Sequence, residues 1–156
     1  MRYWLVKSEP DVYSIDDLAR DGSTSWDGVR NYQARNFMRD DMRVGDLVLF
    51  YHSNAAPPGV VGVAEVSREA HPDLLALDPR SDYFDPRATK DDPRWWMVDI
   101  AYRAHLPRPL SLQALRDAPE LEGMLVTTKS RLSVQPVDPA HFAAVCKLGG
   151  LQWLAG

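Results

Sequence analysis

Five apolar runs in this chain read as β-strands, and each is bounded or bent by glycine or proline. Tyr3 to Lys7 stops at "SEP", Leu47 to Tyr51 follows a Gly45-Asp46 turn, and "VVGVAEVSREA" opens after "PPG" with Gly62 inside it. "WWMVDIAYRAHL" alternates Trp96, Val98, Ile100 and Tyr102 against Trp95, Met97, Asp99 and Ala101, and "SRLSVQPV" ends at Pro136. Proline offers no ladder donor, and glycine lets a strand bend or another backbone approach. Strands so few and so punctuated do not make a wide flat sheet. They predict an α+β fold built on a small curled sheet or partial barrel.

Helical signals fill the intervals. "YSIDDLARDG" has Ser14 as N-cap, acids in its first turn and Gly22 past its end. Tyr32 to Met42 is helical, with Phe37 and Met38 on one side and Arg35 and Arg39 one turn apart. "LSLQALRDAPEL" is capped by Ser111, and "DPAHFAAVCKLGG" by Asp138 with Pro139 at its first position. Residues 71–94, rich in proline and aspartate, predict a long loop with one helical turn, and long loops in compact domains are often functional. At 156 residues, a single domain over 1–156 is expected, large enough to stand without disulfide or metal.

Composition narrows the function. The net charge of −4 argues against a protein that grips nucleic acid by covering many phosphates, but not against one that takes a single base and touches few. The lone Cys146 supplies no disulfide framework and no cysteine zinc site. The opening apolar run is too short for a signal-peptide core, and no stretch approaches a membrane span; the expectation is a cytoplasmic protein with no membrane partner. A monomer is the simplest assembly.

Signatures of catalysis are missing from the sequence. It holds no nucleophile elbow, Walker loop, dinucleotide fingerprint or His-x-x-x-His pair, and its four histidines are scattered. No cofactor and no metal is expected. Binding is better marked. "SWDGVRNYQARNFM" sets Trp26 in a polar loop with Gly28 close behind, and an indole without apolar neighbours in sequence is a candidate stacking platform. Trp4, Trp96 and Trp153 are better read as core. Asn31 carries donor and acceptor on one amide and is suited to reading a base edge; Arg30 offers a planar fork for phosphate or a carbonyl edge. Arg35, Arg39 and Arg43 extend a local positive patch, with Arg35 and Arg39 placed to meet an adjacent phosphate. The alternative is a solvated helix face paired with Asp40 and Asp41, and the spacing does not choose. Lys7 and Ser8, with Tyr51, His52 and Ser53, converge at one end of a small barrel.

"YWLVKSEP", "WDGVRNYQARNFM", "GDLVLFYHS", "GVVGVAEV" and "DPRWWMVDI" together resemble, in order and spacing, the EVE domain family, and the resemblance covers essentially the whole chain. It implies a PUA-like bent β-barrel flanked by helices, related to the YTH domains that hold methylated adenine in an aromatic cage. It further implies a non-catalytic reader of DNA or RNA whose pocket accepts a modified base, such as a modified cytosine. Carried onto this sequence, that pocket uses Lys7, Ser8 and Glu9, then Trp26, Val29, Arg30 and Asn31, then Tyr51, His52 and Ser53. Trp96 and the segment Arg131, Leu132 and Ser133 complete it. On this reading Trp26→Ala abolishes binding and leaves the fold intact. Two alternatives stand beside it. The same pocket takes a free nucleotide or another small planar metabolite, or the chain hydrolyses modified nucleosides with Glu9 or His52 as general base.

Overall fold

The computed structural model describes residues 1–129 and 131–152, so the expectation for Trp153 lies outside the described residues. Six strands form one mixed sheet: β1 (Tyr3–Ser8), β2 (Ser23–Ser25), β3 (Leu47–His52), β4 (Gly59–Pro72), β5 (Trp96–Ser111) and β6 (Val134–Val137), in the order β2-β5-β4-β3-β1-β6. Four α-helices accompany them: α1 (Ile15–Asp21), α2 (Tyr32–Asn36), α3 (Leu112–Asp117) and α4 (Pro139–Leu148). A π-helical turn, Phe37–Asp41, continues α2. The α+β expectation holds.

β1 pairs in parallel with β3, and every other pairing is antiparallel. The β4–β5 ladder changes register at several points between Val60 and His71, and each such bulge adds bend and twist. At Gly62 a Cβ would lie 2.7 Å from both the Ala104 carbonyl oxygen and Ile15 Cδ1, so the glycine lets β5 and α1 close in. Pro136 sits in β6, an edge strand, where its missing N–H leaves no ladder bond unmade.

Two cores occupy the two faces. Trp4 and Val6 of β1 and Val48 and Phe50 of β3 join one cluster with Ile15, Trp26, Val98 and Val134. The alternate residues Leu5, Leu49 and Tyr51 join the other, with Leu115, Phe142 and Val145. That parity is the period-2 alternation of a strand buried on both sides. The first cluster draws on β5 beside one edge of the sheet and on β6 at the other. The sheet must therefore curl around it, as a partial barrel with a seam between β2 and β6.

The capping predictions hold closely. Ser14 accepts from the Asp17 amide while the Asp17 carboxylate accepts from the Ser14 amide, and Ser111 and Asp138 cap α3 and α4. Two strands differ from expectation. β2 is only three residues, too short for alternation to show in sequence, and the last strand starts at Val134, leaving Arg131 to Ser133 outside it.

Candidate functional site

A cleft of about 610 Å³ opens at the seam, within the size range of small-molecule pockets. Its lining comes from both edges of the sheet: Thr24 and Ser25 of β2 and the loop 26–30 on one side, Lys7, Ser8 and Ser133 on the other. Glu9, Val12, Tyr13, Ser53, Tyr83 and Arg131 complete it.

Trp26 is 8% exposed, its amide bonded to the Val98 carbonyl at 2.8 Å and its ring set edge-on to Phe50 at 5.4 Å. It is both a wall of the cleft and part of the core. The expectation that Trp26→Ala would spare the fold is therefore corrected: its apolar neighbours come from β3 and β5, far away in sequence. Val29 is a buried companion on the same wall.

Gly28 and Arg30 shape this wall. Gly28 has φ +76 and donates its N–H to Asp73 Oδ2 at 2.8 Å. A Cβ there would fall 2.9–3.1 Å from Cζ and both Cε atoms of Tyr83, so the missing side chain lets the ring rest over the backbone. Arg30 Nη1 donates to Asp73 Oδ2 at 3.0 Å, and its Nε and Nη2 donate to the Tyr83 carbonyl at 3.1 and 2.9 Å. Its guanidinium also lies over the rings of Tyr83 and Trp95. Asp73 is 1% exposed and takes a further bond from the Leu75 amide. Arg30 thus buckles the 73–95 loop to the cleft. The phosphate role expected for it is corrected, because each end of its fork is already engaged.

The opposite wall is less tied. Lys7 Nζ reaches the Lys129 carbonyl at 3.4 Å and lies 5.6 Å from the centre of the Tyr51 ring, and partial burial lowers its pKa. Ser8 Oγ donates to the Tyr13 carbonyl at 2.7 Å, and the Ser53 amide donates to the Ser8 carbonyl. Glu9 Oε1 accepts from Asn54 at 2.9 Å. Gln135, 1% exposed on β6, donates to the carbonyls of Lys129 and Leu132 and so fixes the segment that carries Arg131. The exposed Arg131 guanidinium has no ion pair or hydrogen bond among the described residues.

Several expected site residues fall outside the cleft. The Asn31 amide oxygen caps α2 by accepting from the Ala34 amide at 3.0 Å, and Asn31 is not part of the cleft lining. Tyr51 points to the second core, and Leu132 is buried in the first, both as strand parity or burial dictates. His52 Nε2 accepts from the Ile15 amide at 3.1 Å, and burial lowers its pKa. That bond engages the lone pair a general base needs. Trp96 is half-buried at the start of β5 beyond the lining; it is Trp95 that is buried, donating from its indole to Asp85 at 2.8 Å. Arg35 is held by the Arg94 carbonyl and Asn36, and Arg39 by Asp40, so neither is available to the cleft.

Sequence reasoning missed Val12, Tyr13, Thr24, Ser25, Asp27 and Tyr83. Asp27 lay inside the quoted motif and carried a signal. Tyr83 carried none, since it arrives from an acidic loop through the Arg30–Asp73 contact.

A curled mixed sheet with helices on both sides and an aromatic-walled cleft at its seam defines a PUA-like fold. The EVE domain model matches residues 2–148, and the chain belongs to that family. Thymocyte nuclear protein 1 of mouse is 39% identical over 165 residues, covering 94% of this chain and 73% of the relative. A hypothetical protein from Leishmania major superposes with a TM-score of 0.91 at 52% identity, covering 96% and 94% of the two chains. Human THYN1 protein, in a crystal structure with 5-methylcytosine containing DNA, superposes with a TM-score of 0.91 at 36% identity, covering 97% and 99%. The YTH domain of Zygosaccharomyces rouxii MRB1 protein shares the fold alone, at a TM-score of 0.56 and 15% identity over 98% and 90%.

Proposed function

We propose that this chain is a non-catalytic reader of nucleic acid that holds one modified base, a modified cytosine in DNA foremost, in the seam cleft. The observation that carries this reading is the position of the cleft. It is walled by the Trp26–Arg30 motif, in a chain that matches human THYN1 protein across nearly its whole length. The base is extruded from its stack, which costs a few kcal/mol. Contact with the Trp26 indole offsets part of that, base–aromatic stacking being worth ~1–3 kcal/mol. Arg131, with Lys7 behind it, takes the adjacent phosphate in place of Arg35 and Arg39. So few cations at the rim fit a net charge of −4 and predict a shallow salt dependence. The buried Cys146, its thiol pushed up to about 12 by burial, suits a reducing compartment such as the cytoplasm.

The test is fluorescence anisotropy with labelled single- and double-stranded oligonucleotides that differ only in one cytosine or adenine carrying a methyl or hydroxymethyl group. Preference for one modified base supports the reader. Binding of free nucleotides or another small planar metabolite alone, indifferent to salt, favours the small planar ligand; the carboxylates of Glu9 and Asp27 in the cleft fit such a ligand where it carries no phosphate. Hydrolysis of a modified nucleoside is left without the His52 base. Turnover lost in Glu9→Gln would restore that reading.

A further inference from the structure

The cleft is lined by two carboxylates, Glu9 and Asp27. Glu9 already accepts from Asn54. The exposed Asp27 carboxylate accepts no hydrogen bond from another described residue; only its own amide, which also donates to the Ser25 carbonyl, lies against it. Arg30 attracts it through space, but every part of that fork is engaged by Asp73, Val29 and Tyr83. The buried acids of the same region, Asp73 and Asp85, each accept several bonds. An unpaired carboxylate repels phosphate, so its presence in a nucleic-acid cleft demands another use.

We infer that Asp27 is the specificity-determining residue of the cleft, accepting a hydrogen bond from the exocyclic amino group of the bound base. This rests on the base-reader reading above. Trp26 and Asp27 are consecutive, so a ring held at the indole has its edge within reach of the carboxylate. Cytosine and adenine present an amino donor where thymine and guanine present a carbonyl, and an acidic side chain accepting from the cytosine amino group is an established pairing. Thymine's one donor stands between two carbonyl oxygens, each of which repels the carboxylate. Asn31, the amide that the sequence puts forward for this task, is taken by the α2 cap. Partial dehydration, and then the negative charge of Asp73, raise the Asp27 pKa, in keeping with an acceptor whose donor is a ligand.

The decisive comparison is 5-methylcytosine against thymine. The two share the ring, the C5 methyl group and O2, and differ at position 4 and in the proton on N3. Placed opposite an abasic position in one duplex, neither has a pairing partner, and anisotropy reads the base alone. The wild-type protein is expected to prefer 5-methylcytosine by roughly tenfold or more. Asp27→Asn puts an amide donor opposite the thymine O4, so the ratio should fall to within about twofold or reverse, chiefly by tighter thymine binding. Asp27→Ala should weaken 5-methylcytosine binding without improving thymine. Thermal melts of both variants should stay close to wild type, because the carboxylate accepts no hydrogen bond from another described residue and dehydration already disfavours its charge. Variants that melt normally and keep the wild-type ratio overturn the assignment, as does a wild-type protein that binds both bases equally. A wild-type protein that binds neither duplex overturns the base-reader reading, and this inference with it.

Discussion

The two walls of the cleft are built differently. On the β2 side, Gly28, Arg30, Asp73 and the Tyr83 carbonyl form a closed set of hydrogen bonds, and Trp26 is packed on Phe50. On the β1/β6 side, the Arg131 side chain has no partner among the described residues, and Gln135 donates to the carbonyls of Lys129 and Leu132 beside it. The first wall supplies shape and the second supplies charge. Asp27 is the exception, an acceptor on the shaped wall with no donor from another described residue. Cations are therefore not interchangeable here: Arg30 looks like a ligand contact in sequence and acts as a buckle, while the Arg131 side chain has no partner among the described residues.

The strongest way to break this contrast is Trp26→Ala, which should destabilise the protein by about 3–5 kcal/mol and abolish binding, read by urea unfolding and anisotropy. A mutant that lost binding at full stability would move the indole out of the core. Arg30→Ala comes next, at about 2–3 kcal/mol, because it leaves the buried Asp73 carboxylate without its cation; the partly wet guanidinium keeps the cost below that of a fully buried pair. Near-UV circular dichroism from Trp95 and Tyr83 should change with it.

A third effect reports on the 73–95 loop through pH. The Trp95 indole N–H and the Arg87 amide hold the Asp85 carboxyl down from 3.8 to about 2. A depressed folded-state pKa gives stability that is complete above the ordinary value and is lost as pH falls through the folded value. The contribution, on the order of 2 kcal/mol, should therefore vanish between pH 3.8 and about 2, and Asp85→Asn should flatten that part of the acid-unfolding curve. The smallest effect sharpens the comparison of cations. Arg131→Ala should weaken oligonucleotide binding uniformly across sequences and reduce the salt slope by about 1, with stability unchanged within about 0.5 kcal/mol. Arg39→Ala, which removes only a surface pair with Asp40, should change neither measurement appreciably.

Much of the fold was legible because its signals are local. Ser14, Ser111 and Asp138 cap helices through bonds spanning two or three residues, and the alternation of β5 shows within a few residues. Gly62 announced a close approach that the β4–β5–α1 contact makes real. The site was half legible. The motif around Trp26 marks the place, and Lys7, Ser8, Glu9, Ser53, Arg131 and Ser133 do come to the cleft. Asn31 and the arginines after it were misread because a free side chain and a capping or paired one look alike in sequence.

The sequence by itself determined the helix ends, the strand runs, the family and the stretch around which the site is built, since each depends on neighbours along the chain or on ordered motifs. Only the tertiary structure decided which polar groups remain free. That, among the described residues, Arg30 is bound and Arg131 is not, and that the Asn31 oxygen has a donor from another residue and Asp27 has none, depends on partners brought together by a sheet that curls its two edges into one seam. Hydrogen-bonding capacity is fixed by residue type, but whether the fold fills it is settled across distances the sequence does not encode locally.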